Sequence, residues 1–310
     1  LDSVERDWAI PVKHFLKQAA SQWVQALGGI AAAVAQEKGV AGPAGSFVID
    51  DAATAVARSL MAGERKAVLL GNAAAHHAQA TQLLALANWI GEHTGATVGY
   101  LTEAANTVGA QFVGAHPVKG GLNAAQLLSG GLKAVLLLNN EPVHDSSVGA
   151  RATDALSGAE MVVTLSPFKA NMEFSDVLLP IAPFTETSGS FINAEGRLQS
   201  FHAVVRPLGD TRPAWKVLRV LANMLEIPGF DFETSQDVLA RATNAAPGAF
   251  SRIDAAQLSN AVTGGVTASV SGAVGEPVVA SIYQLDGLVR RSPSLQLTAD
   301  ARMAREEVAA

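Results

Sequence analysis

Short apolar runs alternate with longer amphipathic stretches between about residue 45 and residue 225. Phe47-Val-Ile-Asp50 reads as a strand, and Asp51 to Met61 as an alanine-rich helix. Ala67-Val-Leu-Leu70 predicts a buried strand closed by Gly71-Asn72. Gln79 to His93 predicts a helix, because Leu83, Leu84, Ala87 and Ile90 recur on one face at helical spacing. Ala134 to Leu138 predicts a second buried strand, closed by Asn139-Asn-Glu-Pro142, and Met161 to Leu165 and Asp176 to Leu179 predict two more. Trp215, Leu218, Leu221, Ala222 and Leu225 form the apolar stripe of a helix starting near Pro213, a residue suited to the first helical turn. Strands that are apolar throughout and separated by helices imply a parallel sheet covered on both faces. The expected fold class is therefore α/β, with doubly wound, mostly parallel sheets and flanking helices.

Two flanking regions depart from this alternation. Residues 1–40 are helical in composition, with Trp8, Phe15, Trp23 and Leu27 as apolar anchors. Residues 244–281 are rich in Ala, Gly, Ser, Thr and Val with almost no charge, which reads as a loop or loose extension. A helix is expected just before it, since Thr234 and Asp237 have the spacing of a capping box ahead of Val238 and Leu239.

Composition narrows the function classes. Of 310 residues, 49% are hydrophobic and 16% charged, enough apolar material for a sizeable core. The net charge is −6 and no Lys/Arg cluster occurs, which argues against a nucleic-acid or anionic-membrane surface. There is no cysteine, so disulfides, thiolate metal sites and cysteine-held iron–sulfur clusters are excluded within these residues. The apolar runs are too short to span a bilayer and no secretory signal is visible. The chain begins at Leu1 rather than Met, which fits a piece of a longer polypeptide.

Candidate chemistry gathers on loops after strands, where open parallel sheets bind ligands. Gly71 and Asn72, like Asn139 and Asn140, can turn sharply and expose amides to a phosphate or a purine; the same residue types also serve as plain turns. Neither G-x-G-x-x-G after a strand nor G-x-x-x-x-G-K-[ST] is present, which counts against a simple NAD-binding domain. Between residues 186 and 199 lie Glu186, Gly189, Asn193, Glu195, Gly196 and Arg197. Two carboxylates there could do acid/base chemistry, or Arg197 could bridge an acid and tie the loop down. The paired His76-His77 makes a poor joint metal site, because adjacent residues on a helix diverge, and no H-E-x-x-H occurs. No nucleophile elbow is found, and no catalytic or metal-ligating residue is expected.

The order of these pieces resembles the molybdopterin oxidoreductase family. The resemblance is carried by Ala105-Asn106-Thr-Val-Gly109, the strand ending in Asn139-Asn-Glu-Pro142, Met161 to Ser166 and Ser175-Asp-Val-Leu-Leu-Pro180. It continues through Glu186-x-x-Gly189-x-x-x-Asn193-x-Glu195-Gly196-Arg197-x-Gln199 and Arg206-Pro-Leu-Gly209 to Trp215, so that it spans about residues 65 to 225. Leu69-Leu-Gly-Asn-Ala-Ala-x-His76 and the tail from Ile282-Tyr-Gln-Leu-Asp286 to Arg290-Arg-Ser-Pro-Ser-Leu-Gln-Leu297 resemble one branch of it, the iron–sulfur (G) subunit of bacterial NADH-quinone oxidoreductase, respiratory complex I.

The resemblance implies domains like those of formate dehydrogenase and DMSO reductase, without the C-terminal pterin-binding barrel. It divides the chain into residues 1–105, an α/β domain; 106–225, a second α/β domain holding the Asp176–Pro180 and Glu186–Gln199 motifs; and 226–310, a C-terminal extension. It implies a C-terminal structural and assembly region with no redox chemistry of its own, in a complex passing electrons from NADH to quinone. The iron–sulfur clusters would lie in the missing N-terminal part. Gly71, Asn72, Asn139, Asn140, Glu186, Gly189, Asn193, Glu195, Gly196 and Arg197 would be vestiges of a cofactor surface, with no cofactor in this region. Expected partners are other peripheral-arm subunits of complex I, with no nucleic acid and no direct membrane contact. The expected location is the cytoplasmic side of the bacterial inner membrane, peripheral, through the complex. The alternative is a piece of an active molybdopterin-dependent oxidoreductase such as a formate dehydrogenase, which would hold molybdopterin.

Overall fold

A computed structural model describes residues 1–5, 8–262 and 281–303. The chain is mixed α/β, with small parallel sheets and flanking helices, and it divides into two compact units. The first takes Leu1–Thr107, Ala194–Gly196 and the described residues from Ile253 to 262; the second takes Val108–Asn193, Arg197–Arg252 and the described residues from 281 onward.

The first unit is built on helix packing. Helix α1 (Trp23–Lys38) carries Gly28, Gly29 and a run of alanines, and it stops at Gly39, whose φ of 66° provides a left-handed cap. Helix α2 (Asp51–Ala62) starts at Asp50, whose carboxylate accepts a hydrogen bond from the Ala53 N–H at 2.7 Å. Both pack with the Ala80–Thr94 helix around Trp23, Val24, Ile30, Val34, Leu83, Leu86 and Ile90. Two parallel strands, β1 (Ala67–Leu70) and β2 (Thr97–Tyr100), lie beside them in register Ala67↔Thr97 to Leu70↔Tyr100.

Two sequence expectations change here. Residues 47–50 are extended but pair with no strand. They cross α1 instead. A Cβ on Gly28 would lie 2.1 Å from the Phe47 ring, and one on Gly29 would lie 2.5 Å from the Val48 carbonyl oxygen. The Phe47 ring fills the space at Gly28 and the Val48 carbonyl that at Gly29, so the partner of this segment is a helix rather than a sheet. The helix expected across residues 1–40 is confined to the short 3₁₀ turn Ala20–Gln22 and α1. Upstream, the chain is irregular around Pro11, which lacks an N–H for a helix, and Trp8 is exposed instead of anchoring a core.

The second unit holds a three-stranded parallel sheet in the order β3 (Ala134–Leu138), β4 (Met161–Ser166), β5 (Val177–Pro180). Asp176 ties β4 to β5 twice: its carboxylate accepts from the Val162 N–H, and its own N–H donates to the Val162 carbonyl. One face of the sheet is covered: Val135, Leu137 and Val162 pack against Leu156, Phe174, Leu128 and Val143. The opposite face carries Ala134, Leu136, Leu138, Met161, Val163, Leu165, Val177 and Leu179 by strand alternation, and Leu165 on the central strand is fully buried. There Leu136 is 49% exposed, Leu138 45%, Met161 45% and Val177 39%. The double covering expected from the sequence is thus complete on one face and partial on the other among the described residues, where Leu165 is buried and the residues around it are half-exposed.

An antiparallel hairpin follows, β6 (Gly189–Ile192) with β7 (Leu198–Phe201). The Ala214–Met224 helix has Pro213 at its N-cap rather than inside its first turn. The Ser235–Thr243 helix begins with the expected capping box, Thr234 accepting from the Asp237 N–H at 3.1 Å and Asp237 from the Thr234 N–H at 2.8 Å. Residues 244–262 are irregular apart from one short turn at Ala255–Gln257; the rest of the expected loose extension to residue 280 falls outside the described residues. Beyond them come the one-turn helix Ile282–Leu285, the 3₁₀ turn Val289–Arg291 and the one-turn helix Pro293–Gln296. No strands close a barrel among the described residues, and no helix there is long and apolar enough to cross a membrane.

Candidate functional site

The ten residues singled out from the sequence fall on several elements. Gly71 and Asn72 belong to the first unit, where Gly71 ends β1 and Asn72 opens a one-turn helix to Ala75. Glu195 and Gly196 also fall in the first unit. Gly196 has φ +78°, a conformation that favours glycine, and its carbonyl accepts from the Ile253 N–H at 2.8 Å.

The others lie in the second unit. Asn139 ends β3 with φ +48°, and its N–H donates to the Leu165 carbonyl at 2.8 Å. The Asn140 carbonyl accepts from the Asn171 side-chain amide at 2.9 Å. Glu186 closes the short turn after Pro183, and its carboxylate accepts from the Leu208 N–H at 3.0 Å. Gly189 faces Phe201 across the hairpin, where a Cβ would come within 2.5 Å of the ring. Asn193 and Arg197 frame the hairpin turn: the Asn193 N–H donates to the Arg197 carbonyl at 3.1 Å, and the Arg197 N–H donates to the Asn193 side-chain oxygen at 3.0 Å. The hairpin turn is thus held by bonds between Asn193 and Arg197, while Glu186 ties its turn to Leu208 and Gly189 makes room for the Phe201 ring. Beside Glu186 lies an open groove of about 560 Å³ lined in part by Arg206, Arg212, Trp215 and Lys216.

The adjacent histidines diverge. His77 is buried, with its Nε2 2.9 Å from the Ala20 carbonyl and its ring stacked on Trp23. His76 is exposed and lies 2.9 Å from the Glu103 carboxylate.

A half-buried polar cluster of the second unit involves residues not singled out as site candidates. Glu141, three residues past β3, receives both Nη atoms of Arg291 at 2.8 Å in a two-pronged contact, and Arg290 Nη2 at 2.9 Å. Arg290 also reaches the Asp145 carboxylate at 3.7 Å. The Arg291 guanidinium lies 4.1 Å from the centre of the Phe168 ring, two residues past β4. The side chains of Arg290 and Glu141 are only 11% and 14% exposed. Burial alone would raise the Glu141 pKa, but the hydrogen bonds and charges of Arg291 and Arg290 together outweigh it and hold the carboxyl below its ordinary value. The sequence carried one trace of this cluster, the adjacent Arg290-Arg291 pair in a chain with few charges; nothing in it pointed to a partner 150 positions away.

The family profile of molybdopterin oxidoreductases matches residues 21–224, about two-thirds of the chain. This chain belongs to the molybdopterin oxidoreductase family. Among curated relatives, it is 37% identical over 75 residues to "Probable oxidoreductase YjgC" of Bacillus subtilis strain 168, a match covering 24% of this chain and 8% of that protein. It is 42% identical over 59 residues to "Putative formate dehydrogenase SAB2186c" of Staphylococcus aureus strain bovine RF122 / ET3-1, covering 19% of this chain and 6% of that one. The matched region is therefore a small part of the relatives' own length. The family shared with these proteins is that of oxidoreductases; within it, this chain contributes the strand ends and hairpin described above.

Proposed function

We propose that this family member is a structural and assembly region of the iron–sulfur (G) subunit of an NADH:quinone oxidoreductase, and that it performs no redox chemistry itself. The observation that carries the reading is the partly uncovered second face of the β3–β4–β5 sheet, half-exposed around a buried Leu165. Leu136, Leu138, Met161 and Val177 on that face are 39–49% exposed. All-parallel sheets are found covered on both faces, and an exposed apolar face of this kind favours burial against further polypeptide. Its partners would be other peripheral-arm subunits, and its attachment to the inner membrane would be indirect.

The residues at the strand ends do not fit the family's pterin cofactor well. The Glu141 carboxylate is bound by two arginines of the same chain, the face of Phe168 lies under Arg291, and the Ser166 hydroxyl oxygen accepts from the Phe168 N–H at 3.1 Å. These groups are already engaged within the chain, and the arrangement supports no step through that cofactor. The second reading, a piece of an active molybdopterin-dependent oxidoreductase, is favoured by the local identity to a protein named for formate dehydrogenase. Elemental analysis for iron, molybdenum and tungsten, with fluorescence of oxidised pterin, on the full-length polypeptide separates the two. Iron without molybdenum, tungsten or pterin is expected; stoichiometric molybdenum or tungsten with pterin would overturn the structural reading.

A further inference from the structure

The carboxyl ends of β3 and β4 are covered by the chain's own C-terminal segment. After the one-turn helix Ile282–Leu285, Asp286 turns the backbone by accepting from the N–H groups of Leu288 and Val289 at 2.9 and 2.8 Å. That turn aims Arg290 and Arg291 at Glu141. Arg290 also donates to the carbonyls of Gln284 and Leu285 at 2.7 and 3.0 Å, and Arg291 to the Gly287 carbonyl at 3.1 Å. The guanidinium groups therefore hold the segment's fold and its attachment at once. From below, Asp145 accepts from the Glu141 N–H at 2.7 Å and fixes the loop that bears the anchor. Gln296 closes the far end by donating to the carbonyls of Tyr283 and Val289 at 3.0 and 2.9 Å.

We infer that residues 282–297 are a strap whose anchor is Glu141, and that this strap takes the place of a bound ligand over the strand ends of the second unit. Three features support it. The anchoring bonds come in a two-pronged pair with a third bond beside them, a geometry that fixes orientation as well as distance. The anchor and Arg290 are largely shielded from water, so the ion pair is weakly screened. The strap also bridges both strand-end loops, touching Glu141 after β3 and Phe168 after β4. In open α/β sheets ligands bind outside the carboxyl ends of the strands, and here a folded peptide lies over two of those ends. The inference deepens the structural reading above and rests on it for the absence of a competing cofactor.

Hydrogen–deuterium exchange with mass spectrometry on the whole chain tests it. In the unmodified protein the amides of 139–145, 166–171 and 282–291 should be protected. Glu141→Ala should speed exchange at least tenfold in all three together, leaving the Ala80–Thr94 helix unchanged. Arg291→Lys, which keeps the charge but loses the two-pronged contact, should give a smaller, parallel change and covers the case in which Glu141→Ala does not fold. The inference falls if the strap already exchanges freely in the unmodified protein. It also falls if these variants change exchange less than twofold, or if the strap loosens while both loops stay protected. Molybdenum with pterin in the full-length protein alongside intact three-segment coupling would sink the non-catalytic reading and the strap's ligand-replacing role with it, and would leave only its anchoring at Glu141.

Discussion

Leu69-Leu-Gly-Asn72 and Leu137-Leu-Asn-Asn140 are nearly the same strand end written twice, yet the two units use them differently. After β1, Gly71 opens a short exposed turn where an added Cβ would meet nothing within 4 Å. After β3, the turn leads to Glu141 and a peptide strap held by two arginines. The units also differ in their cores. The first packs α1 against a crossing backbone at Gly28 and Gly29, whereas the second covers one sheet face fully and the other only in part. A strand end becomes a site, or remains a turn, according to the residues that come next and the groups that reach it from elsewhere in the chain.

The close approach in the first unit should give the largest effect. Gly29→Leu would push a side chain against the Val48 carbonyl, a backbone atom that cannot swing aside. Helix propensity would return about 1 kcal/mol and overpacking would cost about 3 or more, so chemical denaturation should show a clear net loss. Unchanged stability would mean that the 47–50 segment does not lie on α1.

The two faces of the second unit's sheet make the next test. Leu156 is 1% exposed on the covered side, so Leu156→Ala should cost about 3 kcal/mol. Leu138→Ala on the partly open face should cost about 0.5 kcal/mol in the isolated chain. Equal costs in a denaturation series would show that the second face is covered too.

The anchor adds a pH-dependent difference. Glu141 has a lowered pKa in the fold, through Arg291 and Arg290 acting against burial. A carboxylate of that kind contributes stability that is fully present above its unfolded pKa, and the contribution is lost as pH falls through the lowered folded value. Glu141→Gln should therefore be less stable than the unmodified protein by about 2 kcal/mol at pH 7, the scale of a charged hydrogen bond that is largely shielded from water. The gap should narrow below the ordinary value of 4.5. A gap that stays constant down to acid pH would break the link between the strap and the Glu141 charge.

What could be read from the sequence divides along similar lines. β1, β3, β4 and β5 were legible because each is a mainly apolar run, broken only by Thr164 and Ser166 in β4, and closed by Gly, Asn or Pro; the pattern stated both strand and parallel sheet. The same near-uniformity hid the partly open face: when nearly every position is apolar, alternation cannot say which side is wet. Leu86, fully buried, was missed because Leu83, Leu84 and Leu86 offer more than one apolar stripe on the same helix. The apolar Phe47-Val-Ile looked like a strand, since nothing local shows that its partner is a pair of glycines on a helix. The strap was invisible for a different reason. Arg290 and Arg291 read as surface charges unless the fold brings Glu141 to them across 150 positions.

The smallest effect is expected where local sequence alone decides. Thr234 accepts from the Asp237 N–H, and the Asp237 carboxylate accepts in return from the N–H groups of Thr234 and Glu233 at 2.8 and 3.1 Å. The Thr234 hydrogen bonds hold the Asp237 pKa below its ordinary value, although the group is exposed. Thr234→Ala removes the hydroxyl that satisfies one orphan N–H at the helix start, and should cost about 1 kcal/mol; Thr234→Ser should cost almost nothing. The loss should appear as faster amide exchange confined to Ser235–Thr243, with β3 to β5 and the strap unchanged, because none of the bonds made by the Thr234 hydroxyl reaches them. Exchange that spread to Glu141 and Arg291 would show that this cap supports the strap, and would collapse the distinction between a locally written element and one assembled from distant parts of the chain.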